Sequence, residues 1–368
     1  MKKFQVALTR CDTYQPDQLL KKIEQNLNLL GGLDRFIRKG DKVLIKPNLL
    51  AAKEPEKACT THPEFLRAVI QLVKKAGGLP SVGDSPAFNT LSNVAKASGI
   101  KRVCREENIP LVTFRHTTLI KNPSGRMVKT FPVAREILAF DSIISLPKLK
   151  NHSLTHITVA VKNLFGVIPG MIKQTFHFRF QDSFHFSQML IDLNRIIKPA
   201  LNIVDGIMGM EGEGPNTGLP KRTGVIISGT DTVSVDYISS IIMNYDPQHI
   251  EVIKAAKISG FGGYEPSMIE VKGDDLRSLI DRTFKTITPG VGRGILSKIF
   301  PLLNRNFLRK KPVIDRIKCA ACEECIRICP AKTIFLVDGK ARIEQKKCIK
   351  CYCCHEICRY KAVRLTYF

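Results

Sequence analysis

The sequence lacks tryptophan altogether, and its 33 acidic residues are far fewer than its 57 lysines and arginines. It also lacks any apolar run that approaches the length of a membrane span. Near the N-terminus, Gln5 and Arg10 leave no apolar stretch long enough for a signal peptide. These absences argue against an exported, disulfide-bonded protein. They predict a cytoplasmic one, because thiols stay reduced in the cytoplasm.

The net charge of +24 indicates what kind of partner the protein attracts. A strongly positive surface steers acidic partners, so we expect an acidic electron carrier such as a flavodoxin or a ferredoxin. Nucleic acid is the other partner that such a surface attracts. The basic residues are scattered and form no RNA- or DNA-binding motif, which argues against nucleic acid. A basic surface without any specific partner is the simplest alternative.

Cysteine, by contrast, is abundant near the C-terminus and regularly spaced. Two runs share the spacing C-x2-C-x2-C-x3-C: Cys319, Cys322, Cys325 and Cys329, then Cys348, Cys351, Cys354 and Cys358. The second run begins 29 residues after the first (348 minus 319), and Cys353 falls outside the pattern. Three cysteines on a tight loop can bind three irons of a [4Fe–4S] cluster, and the fourth binds the neighbouring cluster.

The spacing therefore predicts two [4Fe–4S] clusters. We assign one cluster to Cys319, Cys322, Cys325 and Cys358, and the other to Cys348, Cys351, Cys354 and Cys329. Structural zinc is the first alternative, but zinc sites favour C-x2-C pairs that a longer spacer separates. A disulfide scaffold is the second alternative, and it would require export.

The same segment resembles the bacterial-type two-cluster ferredoxin module over residues 316–368. Pro330 follows Cys329 as that module requires, whereas Arg359 follows Cys358 where proline is expected. The resemblance implies a small α+β ferredoxin-like domain with two clusters at the C-terminus.

The preceding three hundred residues alternate strand and helix patterns. Helices are predicted from Pro63 to the glycines at 77 and 78, over 184–197 and over 232–243. Strands are predicted over 43–45, 111–114, 141–146, 201–204 and 225–228, with a short one before Asp84. This alternation predicts an α/β fold with a mainly parallel sheet and helices on both faces. Ligands bind such sheets at the carboxyl ends of the strands.

Polar side chains follow several of these strands and predict a binding cleft at one edge of the sheet. They are Lys46, Asn48, Asp84, Ser85, Lys148, Lys150, His152, Asp205 and Asp231. For Asp84 and Asp231 a helix N-cap is an equally good interpretation, because each precedes a predicted helix start.

The segment from Leu146 to Gly170 is the densest in polar groups. His152 and His156 would share one face of a helix that begins near Ser153, as metal ligands or as an acid–base pair. The lysines around them favour an anionic ligand over a cation. Downstream, the glycine-rich segment DGIMGMEGEGPNTGLPKR predicts a loop that either cradles a ligand or moves as a lid.

Six short motifs, KPNLL, VGDSP, LPKLKNH, VKNLFG, IVDGIMGMEGEGP and SGTD, resemble the family called domain of unknown function 362 over residues 43–245. This family is often fused to ferredoxin modules, and no general reaction is established for it. The resemblance implies an α/β fold and cluster binding. The positions that it carries over are Lys46, Asn48, Asp84, Lys148, His152, Lys162, Asn163, Asp205 and Asp231.

The sequence thus predicts an α/β domain over 1–287, a basic amphipathic linker over 288–315 and a two-cluster domain over 316–368. The linker would pack on its own protein or touch a membrane surface or a partner.

The leading functional hypothesis is a redox protein whose two clusters relay electrons to an anionic small molecule on the α/β domain; if it is an enzyme, it would be a ferredoxin-dependent oxidoreductase. Lys148 and Lys162 would bind the anion, His152 would handle protons and Asp205 would orient one of them. Lys46, Asn48, Asp84, Asn163 and Asp231 would complete the binding site. One alternative is a non-enzymatic electron-transfer or cluster-carrier protein that docks on an enzyme. Another is a basic iron–sulfur protein that binds nucleic acid.

Overall fold

A computed structural model of the chain describes residues 3–86, 89–287 and 310–366. The strands are β1 (Phe4–Arg10), β2 (Lys42–Pro47), β3 (Leu79–Asp84), β4 (Leu111–Thr113), β5 (Thr117–Lys121), β6 (Thr130–Ala134), β7 (Ser142–Leu146), β8 (Lys148–His152), β9 (His156–Thr158), β10 (Leu201–Glu211), β11 (Leu219–Gly229), β12 (Ile269–Gly273), β13 (Lys311–Ile314), β14 (Ile334–Val337), β15 (Lys340–Ile343) and β16 (Val363–Thr366). The α-helices are α1 (Pro16–Asn28), α2 (Pro63–Lys75), α3 (Leu91–Ala97), α4 (Ile100–Glu106), α5 (Ala160–Asn163), α6 (Ile172–Arg179), α7 (Ser183–Ile196), α8 (Thr232–Ile242), α9 (Glu251–Ser259), α10 (Leu276–Leu279), α11 (Glu324–Ile328) and α12 (Cys353–Ile357).

A ten-stranded sheet forms the centre of the α/β part, in the order β12-β1-β11-β10-β7-β2-β3-β4. Strand β8 pairs with β10 beyond the end of β7, and β9 pairs with β8. Most pairs are parallel, and the antiparallel ones are β1 with β11, β10 with β11 and β8 with β9. The predicted α/β fold with a mainly parallel sheet is confirmed.

Helices cover both faces of this sheet because its central strands are apolar on both sides. Along β2, Val43 and Ile45 belong to the core beneath α1, α2, α3 and α4. Leu44 points the opposite way, into the core beneath α5, α7, α8 and α9. Alternate side chains of one strand therefore hold two helical layers in place.

Two helices begin where the sequence predicts, and each start has a local cause. Pro63 occupies the first turn of α2, and the imidazole of His62 accepts the N–H of Glu64 at 3.2 Å. Helix α8 begins after Asp231, whose carboxylate accepts the N–H of Ser234 at 2.7 Å. Asp231 is therefore an N-cap, the interpretation that its position left open.

Two local predictions were wrong. Residues 148–158 form the β8–β9 hairpin rather than a helix, and His152 pairs directly with His156 across it. The glycine-rich segment is mostly strand, since β10 and β11 leave only residues 212–218 as a turn. Its glycines allow close packing of strands: a Cβ on Gly206 would lie 2.7 Å from the carbonyl oxygen of Val225.

The C-terminal part has its own small core and two strand pairs, β13 with β16 and β14 with β15. Strand β13 lies inside the predicted linker. Residues 288–309 of that linker lie outside the described residues. Within the ranges that the structure describes, no helix is long and apolar enough to cross a lipid bilayer.

Candidate functional site

A cavity of about 80 Å³ lies at the carboxyl ends of β2 and β3, between α5, α6 and the C-terminal helix α12. Its basic lining side chains are Lys46, Lys150, Lys162, Lys173, His152 and His177. Asp84 and Glu356 supply the two carboxyl groups, and Asn48 and Asn163 supply amides. Four lysines therefore face two carboxyl groups, a balance that favours an anionic ligand.

The floor of the cavity is the ion pair between Lys46 and Asp84, whose Nζ and Oδ1 atoms are 2.8 Å apart. Asp84 also accepts the backbone N–H groups of Leu49 at 2.8 Å and Ser85 at 2.9 Å. Gly166 packs directly on the pair, because a Cβ there would lie 2.1 Å from Asp84 Oδ1 and 2.6 Å from Lys46 Nζ. The two side chains thus occupy the space that any larger residue at 166 would need.

Lys150 extends from β8 into the same site. Its ammonium donates to Asn48 Oδ1 at 2.7 Å and to the Cys59 carbonyl at 2.8 Å. Burial lowers the pKa of Lys150 to about 8; Cys59 opposes this shift, and the positive charge of Lys162 adds to it. Asn48 in turn donates to Asn163 Oδ1 at 3.2 Å, which joins β2 to α5.

The short helix α5 carries Lys162 and Asn163. It is held from below by buried Asp236 of α8, which accepts the Ala160 N–H at 2.6 Å. The Lys162 ammonium lies 5.6 Å from the centroid of the Phe165 ring and 5.8 Å from that of Phe186. It makes no hydrogen bond or ion pair with any described residue, and burial lowers its pKa. Lys162 is therefore a cation still available to a ligand.

Helix α6 contributes Lys173 and His177, which lie one turn apart. Lys173 donates to the Ser85 carbonyl at 2.7 Å, and burial lowers its pKa to about 7 despite the opposing charge of Asp84. His177 stacks on the Phe186 ring with centroids 4.5 Å apart, and burial lowers its pKa to about 3. His177 is therefore neutral, whereas Lys173 changes charge near neutral pH.

His152 presents a hydrogen-bond donor to the cavity. Its Nδ1 accepts the backbone N–H groups of Leu154 at 3.0 Å and Thr155 at 3.3 Å, so the ring proton resides on Nε2. Burial, reinforced by Lys162, lowers the pKa of His152 well below its usual value and keeps the ring neutral. Nε2 lies 3.4 Å from Glu356 Oε1, but neither buried atom has a hydrogen-bond partner in the described part of the chain.

Glu356 reaches the cavity because α12 docks on the α/β part. Asn216, in the turn between β10 and β11, donates to the Glu356 carbonyl and accepts the Cys59 thiol at 3.3 Å. Thr217 Oγ1 lies 3.4 Å from Nε2 of His355. Burial raises the pKa of the Glu356 carboxyl, and the nearby lysines oppose that shift. The cavity is thus built from both parts of the chain.

Three of the residues predicted for the cleft lie elsewhere. Lys148 and Asp205 form a fully buried ion pair of 2.7 Å. Asp205 also accepts the Tyr14 hydroxyl at 2.7 Å and the His62 N–H at 2.9 Å. Neither residue lines the cavity, and Asp231 caps α8. The structure does bring together Lys46, Asn48, Asp84, His152, Lys162 and Asn163.

Four ionisable lining residues were missed by the sequence reasoning: Lys173, His177, Cys353 and Glu356. The spacing of Lys173 and His177, four residues apart, is a helical signal that could have indicated them. Glu356 and Cys353 carry no such signal, because their place in the site depends on how two separate parts of the chain pack.

The regularly spaced cysteines line two separate pockets in the C-terminal part. One pocket is lined by Cys319, Cys322, Cys325 and Cys358, and the other by Cys329, Cys348, Cys351 and Cys354. Backbone N–H groups point at the sulfurs, as from Ala362 to Cys358 at 3.2 Å and from Thr333 to Cys329 at 3.4 Å.

These pockets fit an iron–sulfur cluster better than zinc. A single zinc ion needs all its thiolates about 2.3 Å from one point. Over the described residues, no three cysteine, histidine or acidic side chains converge in that way. Four thiols spread around one pocket suit a cluster that is larger than one ion. Cys353 lines neither pocket; it lines the cavity instead.

Two solved structures are similar to parts of this chain. The lactate racemase apoprotein from Thermoanaerobacterium thermosaccharolyticum is 15% identical with a TM-score of 0.37; the match covers 55% of this chain and 51% of the racemase. A protein from Thermotoga maritima is 15% identical with a TM-score of 0.35, over 66% of this chain and 59% of that one. The chain thus spans about half the length of the racemase, and neither likeness carries a functional argument.

Sequence comparison is more informative. The family described as "Domain of unknown function (DUF362)" matches residues 43–240, and a "4Fe-4S dicluster domain" matches residues 311–359. The thylakoid-associated protein sll1697 of Synechocystis sp. is 37% identical over 256 residues, which cover 69% of this chain and 79% of that protein. The chain therefore belongs to the DUF362 family, and its C-terminal 4Fe-4S domain makes it an iron–sulfur protein.

Proposed function

We propose that this is a redox protein in which two [4Fe–4S] clusters pass single electrons to a small anion bound in the cavity. The observation that carries the proposal is the double role of α12. Cys354 of this helix lines one four-cysteine pocket, while its neighbours Cys353 and Glu356 line the cavity. A proposed cluster ligand and the wall of the anion site thus lie within one turn of the same helix.

In this proposal each cluster takes three cysteines from one run and the fourth from the other run. Cys358 completes the set with Cys319, Cys322 and Cys325, and Cys329 completes the set with Cys348, Cys351 and Cys354. The two pockets support this division, since each is lined by four cysteines in that combination. The clusters supply one-electron transfer.

The anion would be held by the groups of the cavity that are still free to bind. Lys162 offers an ammonium without an ion-pair partner among the described residues, and His152 offers its Nε2–H. Lys173, with a pKa of about 7, offers a further charge that an anion would stabilise. Lys148 and Asp205 have a different role in this proposal from the one the sequence predicted. Their ion pair joins β8 to β10 and so positions Lys150 and His152.

An acidic electron carrier is the proposed donor, because the chain carries a net charge of +24. The cytoplasm is the proposed compartment on account of its reduced thiols. The thylakoid-associated relative makes attachment to a membrane surface the alternative location.

Anaerobic reconstitution tests the cluster half of the proposal. Wild-type protein should hold about eight iron and about eight sulfide ions, as two cubane clusters require. Cys354→Ser should lose or convert one cluster, whereas the matched variant Cys353→Ser should keep the full iron content. Stoichiometric zinc without sulfide, or equal iron losses from both variants, would contradict the assignment.

The anion half is tested by mass spectrometry of small molecules released from anaerobically purified protein. Lys162→Met should abolish retention of the co-purifying anion and leave the iron content unchanged. Cys325→Ala should stop electron delivery while ligand retention stays near the wild-type level. If wild-type protein retains no anion and instead forms a stable complex with another redox protein, the non-enzymatic docking function replaces this proposal.

A further inference from the structure

Two unpaired polar atoms face each other on the wall of the cavity. His152 Nε2 and Glu356 Oε1 lie 3.4 Å apart, and neither has a hydrogen-bond partner anywhere in residues 3–86, 89–287 and 310–366. The two side chains are only 1% and 5% exposed, so bulk solvent does not satisfy them. Because buried polar atoms are costly without a partner, these two are the contact points at which the cavity can be most specific.

The two atoms need opposite partners. Nδ1 of His152 accepts backbone N–H groups, so Nε2 carries the ring proton and can only donate. Glu356 Oε1 can only accept when its carboxylate is ionised, and the ammonium groups of Lys150 and Lys162 in the same cavity favour that form. A single ligand atom that satisfies both must therefore accept one hydrogen bond and donate another. A hydroxyl group does both, whereas the oxygen of a carboxylate, a sulfate or a carbonyl only accepts.

The cavity has both the charge and the room for such a ligand. Lys162, on the short helix α5, lines the same cavity and supplies a positive charge. The cavity volume of about 80 Å³ is several times the roughly 10–15 Å³ that one water molecule requires. A small anion therefore fits with its negative group at Lys162 and its hydroxyl between His152 and Glu356.

We propose that the cavity selects an oxyanion that carries a hydroxyl group of its own, with the hydroxyl held between His152 Nε2–H and Glu356 Oε1. This inference rests on the proposed anion site and names the class of ligand that the site takes. The hydroxyl belongs either to the anionic group itself, as in hydrogen phosphate, or to the neighbouring carbon, as in a hydroxy acid. Glu356 discriminates, because an anion without a hydroxyl leaves this buried acceptor unpaired against a second negative oxygen.

The first test compares inorganic phosphate with sulfate. At about pH 8 both ions are tetrahedral dianions, and only phosphate carries a hydroxyl. These probes report binding alone and take up no electrons. Isothermal titration calorimetry on the whole chain, reconstituted anaerobically, should show phosphate binding about a hundredfold more tightly than sulfate. A difference of that size is expected when one hydrogen bond to a buried charged group is lost.

Glu356→Gln tests the acceptor. The amide of this variant can donate to sulfate, so the preference for phosphate should largely disappear, mainly because sulfate binds more tightly. Glu344→Gln is the matched control, since it removes the same charge from the C-terminal part at a residue that pairs with Lys347 and does not line the cavity. The control should keep the wild-type ratio. Glu356→Gln protein with full iron content and an unchanged ratio refutes the role of Glu356.

A second pair of probes locates the hydroxyl and needs no variant. Glycolate differs from acetate by one hydroxyl on the carbon next to the carboxylate, so tighter binding of glycolate by about tenfold or more places the hydroxyl on that carbon. A preference for phosphate over sulfate alone places it on the anionic group. If neither pair shows a preference, a water molecule bridges the two atoms, and the inference is refuted while the anion site stands. If none of the four anions binds, the anion site itself is refuted, and the ligand class with it.

Discussion

Two buried clusters of polar side chains each include a residue of β8, Lys148 in one and His152 in the other, and they differ in how their atoms are paired. Around Asp205, both carboxylate oxygens have partners, among them Lys148 at 2.7 Å and Tyr14 at 2.7 Å. In the cavity, His152 Nε2 and Glu356 Oε1 face each other without a hydrogen bond. Saturated groups stabilise a fold, whereas buried groups left unpaired are costly and indicate a binding site.

Removing one partner of the saturated cluster should have the largest effect. Asp205→Asn leaves the Lys148 ammonium, which is fully buried, without its counter-charge. Breaking a buried pair in this way costs about 3–5 kcal/mol. Chemical denaturation under anaerobic conditions should therefore show a large loss in the free energy of unfolding.

The matched variant in the cavity is Glu356→Gln, which removes a carboxyl group that has no saturating partner. Its stability loss should be much smaller than that of Asp205→Asn, and its anion affinity should rise because a negative charge has gone. Equal losses of stability in the two variants would show that the contrast in pairing has no energetic meaning.

An intermediate effect is expected from Gly166→Ala. The added Cβ would lie 2.1 Å from Asp84 Oδ1 and 2.6 Å from Lys46 Nζ, so the ion pair on the cavity floor must separate. Overpacking of this kind typically costs about 1–3 kcal/mol, and the displaced lysine should also disturb ligand binding. Denaturation and anion-binding measurements on one preparation would check both consequences. Wild-type affinity in this variant would place the ligand away from the Lys46–Asp84 pair.

The smallest effect is a pH dependence confined to the cavity. Burial lowers the pKa of Lys173 to about 7 and that of Lys150 to about 8 in the free protein. A bound anion favours the charged lysines and raises both pKa values, so binding takes up protons above pH 7. Sulfate affinity should then fall as pH rises through 7 and 8, by up to about tenfold per pH unit for each lysine that must be protonated.

Lys173→Met should remove the lower of the two steps and weaken binding below pH 7. A variant of Lys257, an exposed lysine of α9 that pairs with Glu265, is the control and should leave the profile unchanged. A flat affinity from pH 6 to pH 9 in the wild-type protein would exclude both buried lysines from the anion site.

The sequence by itself determined the fold class and the chemistry of the C-terminal part. Strand and helix periodicity are local properties, so the alternation before residue 287 was enough to predict a mainly parallel sheet with two helical layers. The cysteine spacing is equally local and pointed to iron–sulfur chemistry, which the 4Fe-4S domain match supports. Polar residues at strand ends indicated part of the cavity, because parallel strands end at the same edge.

Only the tertiary structure decided which of those polar residues share the cavity. Lys148, Lys150 and His152 alternate along β8 with identical spacing, yet Lys148 pairs with Asp205 while Lys150 and His152 line the cavity. The spacing cannot distinguish them, because their partners come from β10, β2 and α12, far away in the chain. The place of Glu356 and Cys353 depends on the docking of α12 against the turn at Asn216. Contacts between distant segments leave no periodic pattern in the sequence. The contact between α12 and the α/β part could therefore be identified only from the tertiary structure.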